Sequence, residues 1–185
     1  LNGNNKKFNE KIIDNYKKIK KIKFFKIKEK NIVPALNYLI LKAKGKFCVR
    51  IDADDLCKPE RFEEQINFIK KKNIDFLSSN CEVNENGKLS YIHKTILSKS
   101  LFTNPIVHPT IMIKTKIIKS FKYKNIPFAE DYELYQRLYK NGVRLENIDK
   151  ELNIYNKNIK NIKNIERAFY QTLSTIIIAK AFQDN

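Results

Sequence analysis

Three carboxylates within four positions, Asp52, Asp54 and Asp55, follow the mostly apolar run Phe47-Cys48-Val49-Arg50-Ile51. Like charges at this spacing repel and raise one another's pKa, so the grouping asks for a cation between them. Carboxylate oxygens suit Mg²⁺ or Mn²⁺, and one or two carboxylates plus phosphate oxygens are how Mg²⁺ is usually held beside a nucleotide. A structural alternative stands next to this reading. Pro59 and Glu60 announce a helix start, and aspartate is favoured in turns and near such starts. Capping accounts for one aspartate rather than three.

Periodicity supplies the secondary structure around these groups. A run with β-branched members that ends in charge reads as a buried strand, and the carboxyl end of such a strand is where open α/β sheets bind ligands. Ahead of it, Pro34 suits a first helical turn, Leu36, Leu39, Ile40 and Ala43 follow on one face, and Gly45 lies just past the end. Behind it, Pro59 opens a helix with Phe62, Ile66 and Ile69 as the expected buried stripe, and 74–79 is again strand-like. Nearer the start, Phe8, Ile12, Ile13, Tyr16 and Ile19 predict an amphipathic helix over about 6–20, and 22–27 alternates like a short strand. This rhythm implies an α/β class: a doubly wound, mostly parallel sheet with right-handed crossovers.

After Cys81 the pattern changes. Asn86-Gly87 between two apolar segments is a hairpin signal, so an antiparallel excursion is expected. The apolar run 111–113 comes next, then a helix over 132–141 with Leu134 and Leu138 inward and Gly142 ending it. Short strands are expected at 143–148 and 152–155. A helix over about 162–182 has Leu173, Ile176, Ile177 and Ala179 as its packing face. The division expected is one domain over 1–160 and a C-terminal helix over 161–185.

Composition narrows the function classes. The chain of 185 residues carries a formal charge of +17, but only five of its basic residues are arginine and the lysines are dispersed among Asn and Ile. Bidentate base and phosphate recognition favours arginine forks, so a dedicated nucleic-acid role is not expected. The charge points instead to anionic substrates or a peripheral contact with an anionic membrane. Cys48, Cys57 and Cys81 show no metal-ligand spacing, which fits a reducing, cytoplasmic setting, at the inner face of the membrane if the peripheral contact is made. The first residue is Leu1, with no signal-like segment after it, and the expectation is a fragment of a longer chain.

Three polar islands remain: Asp52-Ala53-Asp54-Asp55, His108-Pro109-Thr110 and Glu130-Asp131. Their order and context resemble the bacterial family 2 glycosyltransferases, nucleotide-sugar-dependent enzymes with the GT-A fold. The most specific parts are Ala43-Lys44-Gly45-Lys46 leading into Arg50 to Asp55 with Pro59 and Arg61 beyond, and Ala129 to Leu134 with Arg137-Leu138. The resemblance implies transfer of a sugar, with inversion, from a nucleotide-sugar donor to a glycan or lipid-linked acceptor. It places the Mn²⁺ or Mg²⁺ and the donor pyrophosphate on Asp52 and Asp54, with Asp55 as helper. It also places the general base on Asp131 with Glu130 beside it, and His108 near the acceptor or the phosphates. The cation would neutralise charge on the departing diphosphate, and an ionised Asp131 would take the acceptor hydroxyl's proton. A helix starting at Tyr132 would favour the ionised carboxylate, or Asp131 is simply its N-cap. Two departures from the family pattern stand out. The first strand and the body of the second have no counterpart, with Asn2-Gly3-Asn4 where an Asp-Gly-Ser is usual, and Tyr155 is followed by Asn156, Lys157 and Asn158 rather than basic and His residues. A truncated, inactive remnant that serves as a binding or structural domain is the alternative.

Overall fold

The computed structural model describes residues 13–28, 31–99, 103–157 and 162–183. Most of the helix expected over 6–20 lies outside these, and residues 13–16 are helical. The strand expected over 22–27 does not form. That segment is irregular and mostly exposed, with Ile22, Phe24 and Phe25 near the surface. Alternation alone makes no strand without a neighbouring edge to pair with.

Helix α1 (Ile32–Lys42) begins at Asn31, whose side chain accepts from the N–H of Val33 at 3.1 Å, and it buries Val33, Leu36 and Ile40 at helical spacing. Pro34 sits in the first turn, where its missing N–H costs nothing. The chain then enters β1 (Phe47–Val49), makes the short β2 (Leu56–Cys57), and continues into helix α2 (Arg61–Lys72). The stripe expected on α2 holds at Ile69, which is buried, and at Ile66, which packs against the same core, but not at Phe62. Phe62 is exposed, while Arg61 and Gln65 are buried beside Ile69. The inward side of this helix meets backbone carbonyls as well as apolar groups, so donors are what it must supply.

Strands β3 (Phe76–Glu85) and β4 (Lys88–His93) form the expected hairpin. Asn86 at φ 53° and Gly87 at φ 79° occupy the two left-handed positions that a two-residue turn of matching twist requires. A second link holds β4 down: the His93 ring nitrogen Nε2 is 2.8 Å from the carbonyl oxygen of Pro105. Beyond the hairpin come a 3₁₀ turn (His108–Thr110), β5 (Met112–Lys114), helices α3 (Thr115–Phe121) and α4 (Glu130–Lys140), β6 (Leu145–Lys157) and α5 (Ile162–Gln183).

The sheet runs β1-β5-β3-β6-β2, with β4 on the remaining part of β3. Strands β1, β3 and β6 share one direction, and β5 lies antiparallel between β1 and β3. Three of these four strands are therefore parallel in direction, although β3 with β6 is the one directly bonded parallel pair among the described residues. Neighbouring residues alternate across the sheet. Phe76 and Ile113 join the core under α1, α3 and α4, while Leu77 and Met112 join the core under α2.

Strand β6 unites the two short strands expected near its ends. Its pairing with β3 slips on either side of Asn80, where Ile148 is followed by Glu151 and then Asn153 in register. A bulge bends its strand and re-aims the residues beyond it. Here the bent end of β6 pairs with β2, Ile154 opposite Leu56, and so returns to the aspartate loop.

Helix α5 docks through Ile178 on Ala129 and Tyr132. Of the expected packing face, Leu173, Ile176 and Ile177 are exposed and Ala179 is half-buried, because the helix presents the position next to Ile177 to the domain. Among the described residues no helix is long and apolar enough to cross a membrane.

Candidate functional site

The strand expected to reach Asp52 stops at Val49, and residues 50–55 form a loop. Its start is pinned to β5's approach by the Arg50 N–H, which donates to the Ile111 carbonyl at 3.1 Å, and it closes through the Asp55 N–H to the Asp52 carbonyl at 3.2 Å. Beneath it Arg61, fully buried, donates from Nη2 to the carbonyls of Arg50 (3.0 Å) and Ile111 (3.3 Å) and from Nε to Gln65 (3.0 Å). Gln65 in turn donates to the Thr110 carbonyl at 2.8 Å. Burial lowers the Arg61 pKa, with Cys57 and Asp55 opposing. The buried polar pair of α2 is thus the bracket that ties the aspartate loop to the segment after His108.

The three aspartates face different partners. Asp52 is ion-paired with Arg50. Asp54 is exposed, and its backbone carbonyl accepts from the Asn156 amide. Asp55 is buried, and its Oδ1 accepts from the Asn156 N–H at 2.9 Å. Burial pushes Asp55 up to about 6 against that hydrogen bond, with Asp52 and Asp54 adding to the rise. Among the described residues no three His, Cys, Asp or Glu side chains form a set that could hold a metal ion. The three-aspartate ligand set is therefore not preformed. The loop fits a cation bound on the open Asp54 carboxylate together with phosphate oxygens, and the buried, unpartnered Asp55 Oδ2 marks an adjacent polar position still short of a contact.

The second carboxylate lies on α4. Its N-cap is Ala129, so Asp131 is not the cap. Asp131 is buried in the first turn, Oδ1 accepting from the Tyr132 N–H at 2.8 Å and Oδ2 from the Asn104 amide at 2.9 Å. Burial, then Glu130, pushes its pKa up to about 6 against those bonds. The helix start, expected to favour the ionised carboxylate, is outweighed here by burial. A partial charge at a helix end is worth less than the loss of water around a carboxylate. Glu130 beside it is half-buried.

His108 opens its 3₁₀ turn with Nε2 2.7 Å from the Tyr123 hydroxyl. The rings of Tyr123 and Tyr135 flank it, with centroids at 5.4 and 6.5 Å. Burial, with the Arg50 cation second, pushes the imidazole down to about 3, so it is neutral at physiological pH. The Tyr135 hydroxyl is buried without a hydrogen-bond partner.

Arg50 links the islands. Its charge acts on Asp55 on one side and on His108, Tyr123 and Tyr135 on the other, and Asp131 acts on the same two tyrosines. The Arg50 charge thus reaches two of the three islands, and Asp131 of the third meets it only through the two tyrosines on which both act. Asn156, Asn104 and the guanidinium of Arg50 are the participants that sequence reasoning missed. Nothing local to an asparagine signals a partner about a hundred positions away, and Arg50 read as part of an apolar strand. A cavity of about 620 Å³ lies at the opposite end of β1, beside Gly45, Lys46 and Lys114, away from these carboxylates.

Comparison with known proteins gives the family and the fold. The chain is 31% identical to an uncharacterised glycosyltransferase of Methanocaldococcus jannaschii over 94% of its own length and 66% of that protein's. It is 28% identical to the O-antigen biosynthesis glycosyltransferase WbnJ of Escherichia coli, over 83% of its own length and 64% of that protein's. It is 31% identical to the Escherichia coli UDP-Gal:alpha-D-GlcNAc-diphosphoundecaprenol beta-1,3-galactosyltransferase, over 76% of its length and 55% of that protein's. The chain thus spans about two thirds or less of these relatives. Among solved structures, residues 1–349 of S. aureus TarS in complex with UDP-GlcNAc superpose with a TM-score of 0.66 at 18% identity, over 83% of this chain and 47% of that one. The fold is the GT-A-like α/β arrangement that the resemblance implied. The model of the family described as Glycosyl transferase family 2 matches residues 2–137, and the chain belongs to that family.

Proposed function

We propose that this chain forms the donor-binding and catalytic domain of a glycosyltransferase that moves a sugar, with inversion, from a nucleoside-diphosphate donor to a hydroxyl of a glycan or lipid-linked acceptor. The observation that carries the reading is Asp131: a buried carboxylate pushed up to about 6, held by Asn104 and acting on the same Tyr123 and Tyr135 as Arg50 of the aspartate loop. A base of this pKa is ionised at neutral pH yet strong enough to take a hydroxyl proton as that oxygen attacks the anomeric carbon. Asp54, with Asp52 adjoining, would hold a Mn²⁺ or Mg²⁺ on the donor diphosphate, where the metal supplies neutralisation of the leaving group's charge. Asn156 keeps Asp55 and the Asp54 backbone in place. His108, neutral and hydrogen-bonded to Tyr123, shapes the floor beside the acceptor or phosphates. The names of the Escherichia coli relatives, one of them acting on a diphosphoundecaprenol acceptor, support a glycan or lipid-linked acceptor. The +17 charge supports peripheral contact with an anionic membrane at its cytoplasmic face.

The test is release of nucleoside diphosphate from a panel of nucleotide sugars by the full-length protein, with Mn²⁺ and with chelator. Asp131→Asn is expected to leave donor binding nearly intact and to lower turnover by about a hundredfold or more, the scale of a lost general base. Asp54→Asn should weaken metal-dependent donor binding. Turnover at the wild-type rate in Asp131→Asn would remove the base assignment.

A further inference from the structure

The backbone of Arg50 is held from both sides. Its N–H donates to the Ile111 carbonyl at 3.1 Å and its own carbonyl accepts from Arg61 at 3.0 Å, so only the side chain is free to reorient. The guanidinium touches Asp52 through a terminal nitrogen, while Nε is buried with no acceptor. Nearby, the Tyr135 hydroxyl is equally buried and equally unpartnered. Buried polar groups in native proteins are ordinarily satisfied, and the unpaired Nε of an arginine whose terminal nitrogen holds a carboxylate points to an acceptor that arrives later. Asp52 is also the carboxylate that a divalent ion on Asp54 would adjoin.

We propose that Arg50 is the stand-in cation of the aspartate loop: its guanidinium holds Asp52 while no metal is bound, and turns from Asp52 to the donor diphosphate when donor and metal arrive together. The proposal rests on the reading of Asp54 as the cation's ligand. The physical basis is twofold. A loop with three carboxylates needs a positive charge to remain folded in place, and an arginine already attached to the loop supplies it without an ion. The planar fork that pairs with a carboxylate pairs as well with a phosphate, and the unused Nε gives it a second parallel donor. Arg50 should therefore oppose the metal when the metal comes alone and assist the diphosphate when both are present. A residue with a purely structural role would weaken both.

The experiment is titration of the full-length protein with Mn²⁺, following free Mn²⁺ by electron paramagnetic resonance, first alone and then with UDP, GDP or dTDP, whichever the wild type binds. Arg50→Gln should bind Mn²⁺ alone about five- to tenfold tighter, because a competing charge is gone, and should bind the diphosphate at saturating Mn²⁺ about tenfold more weakly. Arg50→Lys, which keeps the charge but not the fork, should match wild type for Mn²⁺ alone and still lose several-fold in diphosphate affinity, and it carries the test if Arg50→Gln fails to fold. Unchanged or weaker binding of Mn²⁺ alone to folded Arg50→Gln overturns the proposal, as does full diphosphate affinity in Arg50→Lys. Asp54→Asn separates the two levels: if its Mn²⁺ affinity equals that of wild type, the cation site itself is wrong, whatever the Arg50 variants do.

Discussion

Across 101 positions of sequence, the backbone N–H of Asn156 donates to Asp55 Oδ1 at 2.9 Å, while its side-chain amide reaches the Asp54 carbonyl. The end of β6 thereby acts as a clasp on the aspartate loop. Replacing Asn156 by Ala removes the side-chain half and keeps the backbone half. The loss of one partly exposed hydrogen bond should cost about 0.5–1.5 kcal/mol in urea unfolding. Metal-dependent nucleotide binding should weaken by several-fold in calorimetry, because the Asp54 segment loosens where the ligand must be held to a fraction of an ångström. Unaltered nucleotide affinity would show that the clasp is structural alone.

The pH dependence of turnover reports on Asp131. With its pKa raised to about 6 by burial, the carboxylate is protonated and idle below that value, so kcat/KM should climb with pH through about 6 to a plateau. In Asp131→Asn the residual rate should lack this limb. A wild-type profile flat from pH 5 to 8 would place the base elsewhere.

The same carboxylate should be visible in stability. A carboxyl whose folded pKa lies above its unfolded value of 3.8 binds its proton more tightly in the native state, so its contribution is greatest at low pH and is lost as pH rises through about 6. Asp131→Asn, which cannot ionise, should therefore gain on the wild type by about 1 kcal/mol more at pH 8 than at pH 5. Urea unfolding at the two pH values measures this, and a difference of the opposite sign would mean that Asp131 is stabilised in its charged form.

Arg61 should rank among the most sensitive positions outside the carboxylates. Arg61→Met keeps much of the side-chain volume but leaves the buried carbonyls of Arg50 and Ile111 and the Gln65 amide oxygen without this donor. A loss of about 2–4 kcal/mol is expected, since each abandoned buried group costs about 1–3 kcal/mol and neighbours relax to recover part of it. A variant within about 0.5 kcal/mol of wild type, on the scale of an ordinary surface change, would mean that the bracket adds nothing to stability.

On α4, Arg137 grips the buried Glu133 with two parallel bonds of 2.8 Å and donates to the carbonyls of Phe121 and Lys122 at the end of α3. Arg137→Met should cost about 2–4 kcal/mol by leaving the buried Glu133 with only the exposed Lys124 ammonium, at 3.3 Å, as its ion-pair partner, and adding Glu133→Gln should recover part of that loss. Strict additivity of the two changes in a double-mutant cycle would deny the coupling.

Local and periodic features of this protein were legible in its sequence. Leu36 and Ile40 after Pro34 specify part of the inward face of α1, although Leu39, read on the same face, is exposed and Val33 takes its place; Asn86-Gly87 specifies the hairpin, and Leu134 with Leu138 specifies the inward face of α4. Each comes from the geometry of a single turn or helix, which a few neighbouring residues impose. The residue types and order of the three polar islands likewise pointed to the glycosyltransferase family without any contact being known.

The environment of those islands was set by contacts between distant parts of the chain. Asp52, Asp54 and Asp55 are adjacent in the chain, yet an arginine within the loop and a backbone N–H from the last strand draw them to separate partners. Asp131 gained a raised pKa because the core closes over the first turn of α4, and a helix end read from sequence carries no information on burial. Arg61 and Gln65 went inward, and Phe62 outward, because α2 lies against carbonyls delivered by β1 and by the segment before β5. Ile178 rather than Ile176 and Ile177 docks α5, since one position along a helix rotates the side chain by about 100° and only the partner surface fixes which one meets it. In each case the deciding contact joins residues distant in the chain, and hydrogen-bond demand and loss of water act through those contacts rather than through sequence neighbours.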